Sequence, residues 1–452
     1  MKKNTPMMKM FSASLFCGLA IPAISSAVTV TPTNVAGTTG DWLQSWNNAT
    51  TLEGGFAVPD GSLSDVAVIN QERVIQVNSV VSTVAGTVVL NNTTDSARPA
   101  AFLEVNSGGS LTTGSMIVSQ NKDAGDLKVQ GGALTTGALD VKDNGTVTVS
   151  SGTLTSSSIT VDAFRTVATG VFNINGTGFV TSNGAFTNSG TTNVTGGTLA
   201  MGSNQISVTG GNFNVNGGAV TVTGGANATN GALKADGGDI NLTSGSITVT
   251  DDSAGGGTTN VTSTGTLNIA GGNFIVTGQT GASDTVAFNG EVTISSGSFS
   301  VAAGQVITNS TAVFNIVGDA ATSIEMNNLN LVGSRTATFN FIFDDDGVET
   351  VTNAGFMGLS SLTLNVDGSA YAGGIASFDL FTSTNLTSGI EAGNITVTGL
   401  GEEGVDWEIL QGLGTGGDDK ITLNILTVPE PSAYALLGGL LALGHVMVRR
   451  RR

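Results

Sequence analysis

The sequence predicts an all-β protein folded as a right-handed parallel β-solenoid, a rod in which short strands stack coil upon coil. Runs with the two-residue period of β-strands recur between glycines, as in Thr146–Val149, Val220–Val222 and Leu267–Ile269. A motif of the form Gly/Ser-Gly-x-apolar returns among these runs at spacings such as 20, 23 and 25 residues. A repeat of this length with three short strands is typical of a parallel β-solenoid.

The motif marks the repeated part of the chain, which we place at residues 86–335. Coils that rise by about 4.8 Å each would stack roughly eleven times over this length. A helical alternative fails, because apolar residues at i, i+3 and i+4 are missing and each glycine would cost roughly 1 kcal/mol inside a helix. The motif occurs at Gly108–Leu111, Gly131–Leu134, Ser151–Leu154, Gly196–Leu199, Gly237–Ile240, Gly271–Phe274 and Ser296–Phe299.

Two segments flank the repeats. Residues 336–427 change character, since Phe339, Phe341 and Phe343 alternate there and paired glycines become rarer. We interpret this region as a small antiparallel β-module or cap at the C-terminal end of the rod. Residues 28–85 are expected to form the opposite cap and the first strands.

The N-terminal cap contains five short segments that match a known pattern, namely Asp41-Trp42, Trp46-Asn47, Gly54-Gly55, Val58-Pro59 and Asp65–Ile69. Together they are similar to the opening of many secreted β-helix and autotransporter-associated repeat proteins. In that setting Trp42 and Trp46 would cover the first coil, whose open strand edges otherwise invite aggregation. Stacking of a sugar on these tryptophans is the functional alternative.

The use of cysteine and histidine restricts the chemistry of the chain. Cys17 is the only cysteine and lies near the N-terminus, and His445 is the only histidine and lies near the C-terminus. A body from residue 28 to 427 therefore has no disulfide, Cys/His zinc site, cysteine nucleophile or Ser-His-Asp triad. Carboxylate chemistry and oxygen-ligated calcium remain open. We predict no catalytic residue, no cofactor and no metal.

The charge of the body argues against two classes of partner. Nine of the 16 Lys and Arg residues, and 33 of the 34 Asp and Glu residues, lie between residues 28 and 427, which makes the formal charge of this part −24. A surface this acidic repels nucleic acid and anionic lipid. Neither is expected to bind.

Candidate acidic sites in the body are few. Asp344-Asp345-Asp346-Gly347 supplies carboxylates that suit calcium, but without further ligands at loop spacing we interpret it as a hairpin turn. Asp251-Asp252 is interpreted as a polar excursion from the rod. The few lysines and arginines of the body are scattered along the sequence without a visible cluster.

The N-terminus has the order of a secretory signal peptide. Lys2, Lys3 and Lys9 precede an apolar stretch from Met10 to Ile24, and Ser25-Ser26-Ala27 offers small residues for cleavage. Signal peptidase is expected to cut after Ala27. The alternative is an uncleaved N-terminal anchor.

The C-terminus has three parts, namely Val428-Pro429-Glu430-Pro431, an apolar stretch from Ala433 to Val448, and Arg449, Arg450, Arg451 and Arg452. The prolines cannot continue a helix backward, so a transmembrane helix is expected to begin near Ser432. At about 1.5 Å per residue its 16 apolar residues are a short membrane span. The four arginines would stay in the cytoplasm and stop translocation, with the body outside.

These three parts resemble the PEP-CTERM sorting signal of exported bacterial proteins, with Val428, Pro429, Glu430 and Pro431 at the positions of its motif. The resemblance covers residues 428–452. It implies that a membrane cysteine protease of the exosortase type cuts near the motif and that the body passes to the cell surface or the extracellular matrix. An ordinary tail anchor that is never cut is the alternative.

The sequence favours an exported structural or adhesive surface protein without catalytic activity. Its precursor would be anchored in the inner membrane and its mature form displayed at the cell surface or in the extracellular matrix. Signal peptidase and an exosortase-type protease are the expected processing partners, and exopolysaccharide is a candidate ligand. A surface-displayed carbohydrate-active enzyme, a polysaccharide lyase or hydrolase on a β-helix, is the competing class.

Overall fold

The computed structural model describes residues 29–30, 39–41, 66–69, 74–78, 80–81, 86–90, 100–120, 124–162, 169–224, 232–251, 257–278, 285–302, 305–308, 311–319, 321–412 and 419–426. This part of the chain is all-β, as the sequence predicts, and its only helical element is a 3-10 turn at Ala392–Asn394. The predicted signal peptide, the tail from Val428 to Arg452, and Trp42 and Trp46 lie outside the described residues.

The described residues form 33 strands. In chain order they are β1 Thr29–Val30, β2 Thr39–Asp41, β3 Val66–Ile69, β4 Val74–Val77, β5 Val80–Val81, β6 Thr87–Leu90, β7 Ala101–Asn106, β8 Ser110–Val118, β9 Gly125–Val141, β10 Gly145–Val161, β11 Val171–Ile174, β12 Phe179–Ser182, β13 Phe186–Asn188, β14 Thr191–Val194, β15 Thr198–Ala200, β16 Ile206–Val208, β17 Asn212–Gly224, β18 Leu233–Ala235, β19 Asp239–Asp251, β20 Gly257–Val261, β21 Thr266–Gly278, β22 Thr285–Phe288, β23 Glu291–Val301, β24 Gln305–Thr308, β25 Val313–Val317, β26 Ala321–Met326, β27 Ala337–Ile342, β28 Val351–Gly358, β29 Leu362–Asp367, β30 Ala376–Ser388, β31 Ile395–Thr398, β32 Trp407–Gly412 and β33 Asp419–Ile425.

The strands stack in parallel on three faces, which confirms the parallel β-solenoid. Long strands bend around the rod, so that β10, for example, pairs with β11, β12 and β13 along successive parts of its length. Face A runs through β4, β7, the beginnings of β9 and β10, β11, β14, the beginnings of β17, β19, β21 and β23, then β25, β27, β29 and β31.

Face B follows face A in each coil, and face C completes the coil. Face B runs through the beginning of β8, the middle of β9 and β10, β12, β15, the ends of β17, β19, β21 and β23, then β26, the beginning of β28 and the middle of β30. Face C includes β3, β6, the ends of β8, β9 and β10, then β13, β16, β18, β20, β22 and β24.

The core is a stack of inward-pointing side chains. On each face buried and half-buried residues alternate, as in β7 and β25, because successive side chains of a strand point to opposite sides. Phenylalanine rings pack against one another along the rod: Phe314 stacks on Phe339 with ring centroids 4.5 Å apart and meets Phe288 edge to face at 5.6 Å. Each coil thus buries its apolar side chains against the neighbouring coils.

Glycine fills the corner between faces A and B because coils approach there backbone to backbone. A Cβ atom on Gly245 would lie 2.2 Å from the carbonyl oxygen of Gly218, and one on Gly297 would lie 2.4 Å from that of Gly272. Gly245 and Gly297 also have positive φ angles of 83° and 84°. The Gly/Ser-Gly-x-apolar motif therefore encodes this corner, whereas Gly237–Ile240 occupies a different corner, the one that leads into face A.

Asparagine side chains bond to one another along the outside of face A. Each side-chain amide donates to the carbonyl oxygen of the asparagine one coil earlier, over 2.7–3.0 Å. Thr293 interrupts this asparagine ladder, and its hydroxyl lies 3.1 Å from the amide nitrogen of Asn315. The ladder satisfies its own polar groups and ties adjacent coils together. Its members are Asn173, Asn193, Asn214, Asn241 and Asn268, then Asn315, Asn340 and Asn365.

Parallel stacking continues beyond residue 335, where the sequence analysis places the beginning of a separate module. Strand β27 pairs in parallel with β25, and β29 and β31 continue face A. The alternating phenylalanines belong to this same core, since Phe339 aligns with Phe314. Antiparallel pairing begins only with β33, which pairs with β30 and β32 and closes the described chain.

Candidate functional site

A polar cavity lies where the parallel stack meets the antiparallel strands. Its volume is about 500 Å³. Strands β28 and β30 form one side of it as the last rungs of face B, and the beginning of β33 forms the other. It is lined by Thr352, Asn353, Ala354, Asp379, Thr382, Ser383, Thr384, Asp419 and Lys420.

The outer part of the cavity holds an ion pair. The Lys420 ammonium nitrogen lies 3.2 Å from each carboxylate oxygen of Asp379. The hydroxyl of Thr422 donates to Asp379 Oδ1 over 2.7 Å. Both charged side chains are partly exposed, at 47% for Lys420 and 34% for Asp379. Such a pair contributes little to stability, about 1 kcal/mol or less, so its groups can exchange partners with a ligand.

The inner wall is made of buried polar groups that are already hydrogen-bonded. The amide of Asn353 donates to the Gly355 carbonyl over 2.6 Å and to the Ser383 hydroxyl over 3.2 Å. Asp419 accepts the backbone N–H of Leu386 over 2.8 Å. These groups are 1–7% exposed and hold the two strands in position. The cavity therefore has a fixed polar floor and an adaptable charged rim.

Sequence reasoning missed this cavity because no local pattern points to it. Asp379 and Lys420 are 41 residues apart, and only the antiparallel return of β33 beside β30 brings them together. The other described lysines have partners that sequence could reveal, since an acid two residues away lies on the same side of a strand. The Nζ atom of Lys128 is 3.9 Å from Asp126, that of Lys142 is 3.8 Å from Asp140, and that of Lys234 is 2.7 Å from Asp236.

A second charged group lies on face A around Asp126. Lys128 lies between Asp126 and Glu104, which is 4.0 Å away, and its ammonium sits 5.3 Å from the centre of the Phe102 ring. One carboxylate oxygen of Asp126 is buried without a hydrogen-bond partner. Burial raises the pKa of Asp126 above its ordinary value of 3.8, although Lys128 opposes the shift. The ionised form of Asp126 is therefore disfavoured in the folded protein.

Replacing Asp126→Asn is expected to stabilise the protein at pH 7 by about 1 kcal/mol or less. Because the pKa of Asp126 is higher in the folded than in the unfolded chain, the folded state binds more protons than the unfolded state at pH values around these two pKa values. The carboxylate thus destabilises increasingly as pH rises from about 3.8 through the raised pKa. The gain in stability should vanish near pH 3, because the Asp126 carboxyl is then mostly protonated in both states. Denaturant unfolding of native and variant proteins at pH 3 and pH 7 measures it.

The matched control is Asp140→Asn, since Asp140 also faces a lysine two residues away and lies on the solvent side of its strand. This variant should show no gain. A gain in both variants, or a gain for Asp126→Asn that persists at pH 3, would contradict the role of burial.

The acidic run at residues 344–347 forms a bend that leads from β27 on face A to β28 on face B. It is not the hairpin turn interpreted from the sequence, since β27 pairs with β25 and β29, and β28 with β26 and β30. Asp344 Oδ1 accepts the backbone N–H groups of Asp346 and Gly347 over 3.1 and 3.0 Å, and Oδ2 accepts that of Asp319 over 3.3 Å. Burial alone would raise the pKa of Asp344, but these backbone donors outweigh it and lower the pKa. Both oxygens of the Asp344 carboxylate are therefore occupied as acceptors of backbone N–H groups.

The sorting and cleavage residues predicted from sequence, Ala27, Val428–Pro431 and Arg449–Arg452, lie outside the described residues. Within the described ranges, no three acidic, histidine or cysteine side chains come together in a way that could hold a metal ion. No helix among those residues is long and apolar enough to cross a bilayer.

Comparison of the chain with protein-family models, with curated proteins and with solved structures finds no match.

Proposed function

We propose that this chain is an exported structural or adhesive protein of the cell surface or extracellular matrix. The observation that carries the proposal is the order of Val428–Pro431, the apolar stretch 433–448 and Arg449–Arg452, together with a signal-like N-terminus. The solenoid supports it, because a rod held together by coil-to-coil stacking and by the asparagine ladder of face A suits display rather than turnover. In this proposal the tail anchors the precursor until an exosortase-type protease removes it.

Replacing Pro429, Glu430 and Pro431 together by alanine is expected to abolish processing in a host that carries such a protease. The precursor should then accumulate in the membrane fraction, because the protease no longer recognises its motif while the apolar stretch and the arginines still anchor the chain. Fractionation and mass spectrometry of the C-terminal peptide measure the outcome. Ser432→Ala, next to the motif, is the control and should be processed normally.

Recovery of the intact peptide ending at Arg452 from the surface-exposed native protein would contradict the proposed cleavage. It would leave a permanent tail anchor as the explanation of the same residues.

The cavity beside β33 favours a second candidate, a carbohydrate-active enzyme. Two carboxylates, Asp379 and Asp419, line it beside the Lys420 ammonium, and most glycoside hydrolases use a pair of carboxylates. Asp419 is already bonded to the backbone of Leu386, which argues for a structural role. Depolymerisation of neutral or acidic polysaccharides that Asp379→Asn abolishes would establish the enzyme instead of the structural protein.

A further inference from the structure

Face B carries two rows of side chains along the outside of the rod, and 15 of the 22 are serine or threonine. Adjacent rungs are in register, so the rows advance by about 4.8 Å per coil. The first row contains Ser110, Ala133, Thr153, Phe179, Thr198, Ala219, Ser246, Asn273, Ser298 and Ser323, and the second contains Thr112, Thr135, Thr155, Thr181, Ala200, Thr221, Thr248, Ile275, Ser300, Glu325, Thr352 and Thr382.

The hydroxyls of face B differ from the asparagine ladder of face A in what they bind. Thr112, Thr135, Thr155, Thr181 and Thr221 make no side-chain hydrogen bond to any other part of the described chain, while the face A amides bond to each other. The asparagine ladder of face A is thus internally satisfied. Face B offers the hydroxyls of these five threonines to a ligand, whereas nearer the C-terminal end Ser298 bonds to Ser323 and Ser300 bonds to Glu325.

Two further features of face B point to the kind of ligand. Phe179 stands in the first row with 43% of its surface exposed, although all ten of the largest fully buried side chains are phenylalanines. An exposed aromatic ring among hydroxyls suits the C–H face of a sugar, which is apolar while its edges carry hydroxyls. The second row also ends in the cavity, because Thr352 and Thr382 line it and bond to each other over 3.3 Å.

The charge of face B and its backbone pairing exclude two kinds of ligand, polyanions and an added protein strand. Of the 22 side chains in the two rows only Glu325 is charged, and the strongly negative body repels polyanions. The backbone groups of face B are used in pairing between coils, so a protein partner cannot add a strand to this face. Recognition must occur through hydroxyls, the phenylalanine ring and the cavity.

From this arrangement we infer that face B and its terminal cavity bind an extended, uncharged polysaccharide chain lying along the rod. The twelve rungs of the second row span about 50 Å. An extended β-linked hexose chain advances by about one coil rise per sugar, so successive sugars can meet equivalent threonines. The cavity would hold the end of the chain, with Asp379 and Lys420 bonding to its hydroxyls. The inference rests on the adhesive function proposed above and names its ligand.

The test uses the purified full-length protein in a nonionic detergent without a sugar headgroup. Cellohexaose is the probe for titration calorimetry, hydroxyethyl cellulose is the probe for affinity electrophoresis, and sodium alginate is the anionic comparison. We expect cellohexaose to bind at least about tenfold more tightly than cellobiose, because it spans more rungs. Alginate should not retard the protein.

Two variants on face B and one matched control locate the site. Phe179→Ala removes an exposed ring, and Thr155→Arg places a bulky side chain in the second row; each should weaken cellohexaose binding at least about tenfold. Thr148→Arg is the control, since Thr148 belongs to the same strand β10 and faces outward on face A. The Thr148→Arg variant should bind cellohexaose with the affinity of the native protein.

Three results would overturn the inference: no binding of either neutral probe at millimolar concentration, equal binding of alginate, or equal weakening by Thr148→Arg. The binding assay needs no export or processing. A failure here is therefore distinct from a failure of the proposed sorting, which is measured on the tail.

Discussion

Replacing Phe314→Ala is expected to destabilise the rod by about 3–5 kcal/mol, the usual cost of truncating a buried phenylalanine. Phe314 is fully buried and contacts Phe288 and Phe339 in the coils on either side. Its removal leaves a cavity that the rigid backbone stack cannot close, and it breaks an aromatic contact in both directions. Guanidinium unfolding measures the loss, and hydrogen exchange should place it in the coils around residues 288–339.

Phe179→Ala is the control for Phe314→Ala, because it removes the same side chain from a position that is 43% exposed. It should cost about 1 kcal/mol or less. Because each coil contacts only its neighbours, strands β9 and β10 should keep their protection in the Phe314 variant. Loss of protection along the whole rod would contradict coil-by-coil stability.

Replacing Gly245→Ala is expected to cost about 3 kcal/mol or more, although it adds one methyl group. The new Cβ would lie 2.2 Å from the Gly218 carbonyl oxygen and 2.9 Å from the Gly218 nitrogen. These are backbone atoms of the preceding coil, so the clash is relieved only by moving two coils apart. The positive φ of 83° adds strain for any residue with a side chain. Thermal and denaturant unfolding measure the effect.

Gly202→Ala separates the two causes. Gly202 also has a positive φ, 52°, but no heavy atom lies within 4 Å of the position that a Cβ atom would take there. This variant should lose only the stability that a positive φ costs a residue with a side chain, about 1 kcal/mol. Equal losses in the two variants would mean that close stacking of the coils is not the reason for glycine at this corner.

The solenoid could be predicted because its determinants are local and repeated. Val220–Val222 and Leu267–Ile269 show the strand period directly, and the glycine motif reports the corner that every coil must turn. Ten strands of face A lie between residues 86 and 335 of the described chain, close to the roughly eleven coils expected from a rise of about 4.8 Å.

The C-terminal end was harder to predict from sequence. The alternation of Phe339 and Phe341 predicts a new module, yet in the structure both continue the same core, Phe339 next to Phe314 and Phe341 next to Ile316 of the preceding coil. The number of residues per coil also changes, from 20 between Leu127 and Val147 to 31 between Leu364 and Ile395. Insertions of this size change the spacing of the repeat, so its position can no longer be followed along the sequence. A contact between residues far apart in the chain, such as Asp379 and Lys420, has no local sequence pattern.

The direction of the hydrogen bonds gives the rod a mechanical property. The bonds that join coils, and the asparagine amides on face A that accompany them, lie along the long axis. Tension between the two ends therefore loads these bonds one coil after another instead of shearing them together. Between β9 and β31, each coil that peels away releases 20 to 31 residues of chain, about 70–100 Å of slack. A rod of this design yields in steps, dissipates energy at each step, and keeps the remaining coils intact.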